Sequence, residues 1–434
     1  MIYWAPLLHF YQPHIQSHIV LDKICNECYR PLLKVFKENT KTKITVNICG
    51  ILSELLKEHG ARDIIDDFKL LSKRNQIEFT GSSKFHALLP LIPSDEIRRQ
   101  ITLNHDVNSE IFGSSYKESG FFPPEMAYSK KVASVLSEKG YKWVILSGVA
   151  CNKEWPVDKV YAVKNVSGDL KVLFRDDLLS NKVSFKNVDA FEFLKHLSLM
   201  GDYHKKKEPV LSKDIYVITA MDAETFGHHI KNWENDFLKT VFDLITKPSG
   251  SLDTKNGSIF SKCREENINL NNIELVTLSD ISEKFLSDEE IEPRPSSWST
   301  NGEDVKAKNY YPLWNNPHNL LHKYLWEHLN ICIDIVKEAE SVELPAQLTK
   351  TLVADARDLL DRAMFSCQWW WASRSPMWDI KLVNEGLLSQ EEALFTGCKA
   401  ILSSNLADNK KRAYYNKIVV ARDIATKIRD IMLS

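Results

Sequence analysis

The sequence predicts an α/β domain built on a parallel, barrel-like sheet, followed by a domain made of helices alone. Three observations carry this reading. Short apolar and β-branched runs alternate with helical stretches up to about residue 290, the rhythm of βα units in a parallel sheet. Polar residues recur at the carboxyl end of run after run, where the loops of such a sheet converge on one mouth. From about Leu320 onward apolar residues keep helical spacing with no strand pattern.

The first run, IYWAPLL at 2–8, ends at His9, and Gln12 and Pro13 follow in a loop. A helical stretch from Pro31 to Lys37 has proline near its start and leads to a second strand, Ile44 to Cys49, with Asn47 inside it. SELLKEHG at 53–60 is a helix stopped by glycine. Gln76 to Thr80 is the third strand; it carries Glu78 and leads into a loop with Ser82, Ser83 and His86. After a charged helix from Ser94, the short segment Gly120 to Pro124 ends at Glu125. Tyr141 to Leu146 and Lys171 to Phe174 are the fifth and sixth strands, the latter ending in Arg175 and Asp176. Ile215 to Met221 is the seventh, and Glu274 to Leu278 followed by SDISEKFL offers one more βα unit.

The chain is organised around 215–229. Its apolar half reads as a strand buried on both faces, and Asp222, Glu224, His228 and His229 follow at its end. Asp222 has an ordinary reading, as the cap of a helix running through Trp233 and Phe237. Two carboxylates, a glycine and two histidines within eight residues favour a functional site instead.

These elements divide the chain into a barrel domain at 1–290, a connection at 291–318 and a helical bundle at 319–434. The connection is rich in Pro, Ser, Asn and charge, yet its Trp298 and Trp314 imply contact with something. Within the bundle, SCQWWWASRSPMWD at 366–379 holds four tryptophans, more than a helix seam needs, and is assigned to a substrate cleft. The 434 residues are 44% hydrophobic and can bury a large core, while a net charge of -2 offers no field for nucleic acid. Eleven Trp and fourteen Tyr suit neutral sugar rings, whose C–H faces stack on flat aromatics. Of eight cysteines only Cys25 and Cys28 share C-x-x-C spacing, so reduced thiols in a cytoplasmic protein are the expectation. The start of the chain lacks the marks of a signal peptide, and no apolar stretch approaches the roughly 18 residues of a spanning helix. No metal, cofactor or membrane partner is expected, and the oligomeric state is left open.

Cleaving a glycosidic bond takes two carboxyl groups, one to attack or stabilise the anomeric carbon and one, protonated, to donate to the leaving oxygen. Glu78, Glu125, Asp176 and Asp222 are the acids read at strand ends. Glu125 stands out in GFFPPEMAY, where two prolines stiffen the backbone and aromatics surround the carboxylate.

Five short segments then resemble, in order, the motifs of glycoside hydrolase family 57: LHFYQP at 8–13, NQIEF at 75–79, FPPE at 122–125, MDAETFGHH at 221–229 and SCQWWWA at 366–372. The resemblance implies an α/β fold of the incomplete (β/α)7 TIM-like barrel type, with a helical C-terminal domain. It also implies a retaining enzyme of α-glucans, an α-amylase or a 4-α-glucanotransferase, with Glu125 as nucleophile and Asp222 as general acid/base. His9, Gln12, Glu78, His86, Arg175, Asp176, Glu224, His228 and the Trp369, Trp370 and Trp371 run are assigned to substrate binding. The chain departs from the family pattern at Phe10 and Tyr11, which separate His9 from Gln12, at Asn75 in place of glycine, at Phe122 in place of tryptophan, and at Cys367 and Gln368 where an acid is usual.

Two other readings compete. Asp222, His228 and His229, with His9, offer a zinc shell for a polysaccharide deacetylase or α-mannosidase on a similar barrel, although the spacing fits no strict zinc motif and leaves Glu125 without a task. A carbohydrate-binding protein that kept the barrel and lost turnover is the other.

Overall fold

The computed structural model describes residues 1–207, 214–342 and 347–433. The chain divides into two compact units, Met1–Lys84 with Leu89–Trp298, and Phe85–Leu88 with the residues from Ser299 onward. The first unit holds strands β1 (Ile2–Phe10), β2 (Ile44–Ile48), β3 (Ile77–Gly81), β4 (Glu118–Phe121), β5 (Trp143–Ser147), β6 (Tyr161–Val163), β7 (Lys171–Arg175), β8 (Ile215–Asp222), β9 (Ile273–Leu275) and β10 (Glu290–Ile291). They form one sheet in the order β10-β6-β7-β5-β4-β3-β2-β1-β8, with β9 on β1. Strands β1 to β5, β7 and β8 are joined in parallel, a curled, incomplete barrel whose ends are β7 and β8.

Alternation along each strand sets what fills the barrel. Tyr3, Ala5 and Leu7 of β1, Trp143 and Ile145 of β5, Leu173 of β7, and Tyr216, Ile218 and Ala220 of β8 share one buried cluster with Phe122, as the two-residue period of a strand requires. Strands this close leave no room for some side chains. A Cβ on Gly120 of β4 would lie 1.9 Å from the Trp143 ring, so only glycine lets that indole into the interior.

The seam between β7 and β8 is closed by something other than a strand ladder. Asp176 N–H donates to the Ile218 carbonyl (2.8 Å) and Tyr216 N–H to the Val157 carbonyl (2.7 Å). The Arg175 guanidinium donates to the Ala220 carbonyl (2.7 Å), and Ala220 N–H donates to Ser180 Oγ (3.2 Å). Side chains and loops thus satisfy the backbone groups that an open sheet edge would leave bare.

The extra βα unit expected near Glu274 is short. Strand β9 pairs only with Ile2–Trp4, at the amino end of β1, whereas β2 takes Leu7–Phe10. The helix Leu278–Lys284 that follows has a capping box from Thr277 and Asp280, and its Leu278 and Ile281 enter the interior cluster. It fills the amino end of the barrel.

The second unit contains the helices Leu320–Ser341, Gln347–Ala363, Ile380–Leu402 and Asp408–Leu433, with the short Cys367–Trp371 among them. Asn319 and Asp379 cap two of them with side-chain oxygens. Trp369 is fully buried and stacks on Trp326 with ring centroids 3.8 Å apart. Gln368, at a position where the resemblance leads one to expect an acid, is buried and donates to the carbonyls of Ala363 (2.7 Å) and Phe365 (3.1 Å), while its own oxygen accepts from Gln390 (2.6 Å). Among the described residues no helix is long and apolar enough to cross a membrane.

Candidate active site

On β1, β5, β7 and β8 the interior stripe is apolar until its last position, where it turns polar. Tyr3, Ala5 and Leu7 lead to His9; Tyr216, Ile218 and Ala220 lead to Asp222; Trp143 and Ile145 lead to Ser147; Leu173 leads to Arg175. In register, Asp222 of β8, His9 of β1, Asn47 of β2 and Thr80 of β3 stand side by side. A polar rim therefore stands at the carboxyl ends of these strands.

The rim is wired. Asn47 Nδ2 donates to Thr80 Oγ1 (2.8 Å), which turns its Oδ1 toward His9 Nδ1 at 2.6 Å. That oxygen can only accept, so His9 carries its proton on Nδ1. Burial is the main reason the His9 ring is hard to charge; it takes the pKa down to about 4 against the opposing pull of Asn47. His9 is neutral at ordinary pH.

Glu125 sits in the turn Pro124–Met126 after β4, with φ 59° and ψ 16°. Its Oε2 accepts from the Trp298 indole N–H (2.8 Å), and its carbonyl accepts from Trp298 N–H (3.0 Å). Phe122, three residues earlier, stacks on His9 at 4.7 Å, and Trp298 meets the same ring edge-on at 6.1 Å. His9 is thus the hinge of the arrangement, beside Asp222 on one flank and against the Phe122 and Trp298 frame of Glu125 on the other.

Asp222 makes no capping bond to the turn Ala223–Thr225. Burial raises its pKa to about 6, opposed by the positive charge of Arg175. Glu224, two residues on, is buried and accepts from Gln12 Nε2 (3.0 Å) and from the Tyr29 hydroxyl. Burial and then the charge of Asp222 push it up to about 7. Gly227 holds the loop at φ +104°, and a Cβ there would lie 1.9 Å from the Glu27 carbonyl oxygen, so no other residue fits.

Several residues assigned from sequence are held by partners of their own. Glu78 is the second residue of β3, one pleat below Thr80 and about 6.6 Å along the strand from the rim. There it accepts from Thr45 Oγ1 (2.7 Å) and Ser279 N–H (3.1 Å) over the amino end of the helix Leu278–Lys284. Asp176 is a helix cap, accepting from Leu179 N–H (2.8 Å). Its neighbour Asp177 takes the polar part, accepting from Arg175, Ser147 and the backbone of Val149. Arg175 is buried, with donors spent on Ala220, Asp177 and Asn181, so it supports β8 rather than reaching for a ligand. His228 Nδ1 lies 2.7 Å from Glu27 Oε2, whose other oxygen takes Lys231, so His228 is braced within its own loop. His86 groups with the second unit, where its ring meets Ser366 Oγ at 2.8 Å. Of the tryptophan run, Trp369 and Trp371 are buried in that unit and Trp370 is partly exposed. Sequence reasoning missed Trp298 as a site residue, and it missed Tyr29, Asn47 and Thr80.

A model of glycosyl hydrolase family 57 matches residues 6–290. An alpha-amylase of Pyrococcus horikoshii is 26% identical over 247 residues, 55% of this chain and 37% of that protein. A 4-alpha-glucanotransferase of Thermococcus litoralis is 25% identical over 252 residues, 55% of this chain and 36% of that protein. The chain therefore matches little more than a third of the length of these relatives. Among solved structures, the alpha-amylase AmyC of Thermotoga maritima has a TM-score of 0.64 at 15% identity over 99% of both chains. The Thermococcus litoralis 4-alpha-glucanotransferase has a TM-score of 0.65 at 18% identity, covering 90% of this chain and 59% of its own. At these identities the structures speak for the fold.

Proposed function

The chain belongs to glycosyl hydrolase family 57, and we propose that it cleaves or transfers α-glucan chains by a retaining mechanism, with Glu125 as nucleophile and Asp222 as general acid/base. The observation that supports this best is the pairing of a fixed carboxylate with a proton-holding one at the same end of one barrel. Glu125 is oriented by Trp298, which meets the His9 ring edge-on, while Asp222, its pKa raised by burial to about 6, stands beside His9 in register.

In the first step a Glu125 oxygen forms a bond to the anomeric carbon as the glycosidic bond breaks, and Asp222 gives its proton to the departing oxygen. In the second, Asp222 takes a proton from water or from a sugar hydroxyl, whose oxygen displaces Glu125. Burial suits Asp222 to both steps, since a carboxyl group near pH 6 is a competent donor and its anion a competent base. His9, neutral and with its proton committed to Asn47, adds no competing charge to the rim. Whether water or a glucan hydroxyl arrives decides hydrolysis or transfer.

Product sizing after incubation with maltooligosaccharides tests the proposal. Shorter products alone mean hydrolysis, and longer ones mean transfer. Glu125→Gln and Asp222→Asn should each lower the rate by at least about 1,000-fold. An unchanged oligosaccharide profile with the wild-type protein overturns the α-glucan assignment.

A further inference from the structure

We propose that the strap Ser296–Trp298 is a built-in positioning device for Glu125, and that the Trp298 indole N–H sets the direction in which that carboxylate attacks. The proposal rests on Glu125 being the nucleophile.

The strap lies along the Glu125 turn as a short added ladder. Ser296 and Tyr128 form an antiparallel bridge, with Tyr128 N–H donating to the Ser296 carbonyl (2.8 Å) and Ser296 N–H to the Tyr128 carbonyl (3.4 Å). One step further, Trp298 N–H donates to the Glu125 carbonyl (3.0 Å). These bonds bracket a backbone that needs holding. Glu125 and Met126 both have left-handed φ, 59° and 48°, a region that residues other than glycine seldom occupy unless their surroundings fix them.

The same tryptophan then reaches the side chain. Its Nε1–H donates to Glu125 Oε2 at 2.8 Å, which fixes the twist of the carboxylate about its last bond and so aims the lone pairs of Oε1. The indole is itself braced edge-on against His9 (6.1 Å) and Phe122 (6.0 Å). One residue therefore ties the backbone and the carboxylate of Glu125 to the His9 side of the rim. Trp298 need not touch the sugar to matter, because a reacting atom misaimed by about 1 Å can cost about 100-fold in rate.

The test isolates the step in which Glu125 acts. An α-glycosyl fluoride carrying a second fluorine on its ring is attacked by a Glu125 oxygen; the C1–O bond forms, the C1–F bond breaks and fluoride leaves with the electron pair. The ring fluorine slows the return of the sugar to water, so the ester accumulates and its peptide is found by mass. For Trp298→Phe, which keeps a ring against His9 and Phe122, labelling of Glu125 should slow by about 100-fold, with kcat reduced and KM nearly unchanged. Labelling at the wild-type rate overturns the proposal. If the variant melts well below the wild type, the wild-type protein with isotopically labelled indole nitrogens replaces it: the Trp298 N–H resonance should move on trapping, as its carboxylate acceptor becomes an ester, and a stationary resonance overturns the proposal. A wild-type protein that turns over maltooligosaccharides but takes no label at Glu125 overturns the nucleophile assignment, and the clamp falls with it.

Discussion

Glu224 carries the most testable electrostatics in the site. Its ordinary pKa of 4.5 is raised to about 7, first by burial and then by the charge of Asp222. Between those values the folded protein keeps the proton and the unfolded chain releases it, so the contribution of Glu224 to stability falls as pH rises from 4.5 to about 7. Glu224→Gln keeps an oxygen for the Gln12 and Tyr29 donors and removes the titration. Its melting temperature should therefore decline less steeply than that of the wild type across that window, measured by calorimetry; parallel slopes would contradict the assignment. The cluster around Glu224 was legible in the sequence because its acids and histidines crowd into eight consecutive positions. Its partners were not. Tyr29 and Gln12 are 195 and 212 positions away from Glu224, and nothing local marks them as its donors. Asp176 and Asp177 make the point at close range: neighbouring acids, of which one caps a helix and the other serves the rim, separated only by which way the backbone turns.

At the scale of elements, the strands were readable as apolar runs because a parallel strand buried on both faces has no polar alternation to hide it. The short strands β6 and β10, of three and two residues, carry no such run and are set by tertiary pairing, whereas β9 falls at the start of the apolar stretch read near Glu274. The seam between β7 and β8 was likewise invisible, since side chains and loop backbone, not a ladder, close it. Ser180 is the part most easily removed. It is fully buried and accepts from Ala220 N–H, two residues before Asp222. Ser180→Ala leaves that N–H without its acceptor and should cost about 1–3 kcal/mol of unfolding free energy in urea. A loss within about 0.5 kcal/mol, the range of an ordinary surface change, would show that the seam does not depend on it.

At the scale of the whole molecule, hydrophobic period separated the barrel from the helical unit, but it could not assign Phe85–Leu88. Those residues follow the third strand directly, yet they cluster with the second unit, where Ala87 bridges Phe365 and His86 bonds Ser366. The tryptophan run could not be resolved residue by residue for a related reason: large aromatic side chains serve a helical core as readily as a sugar, and Trp369 on Trp326 is the former, while Trp370 is partly exposed. What remains is a barrel with a polar rim at the carboxyl ends of its strands, where Asp222 stands beside a neutral His9 and Glu125 is tied to Trp298. The stereochemistry of the first product tests that account most directly. Followed by NMR before the free sugar equilibrates, the product released from an α-linked maltooligosaccharide should appear as the α-anomer, as displacement by Glu125 and then by water requires. First appearance of the β-anomer would mean a single inversion and would contradict the account.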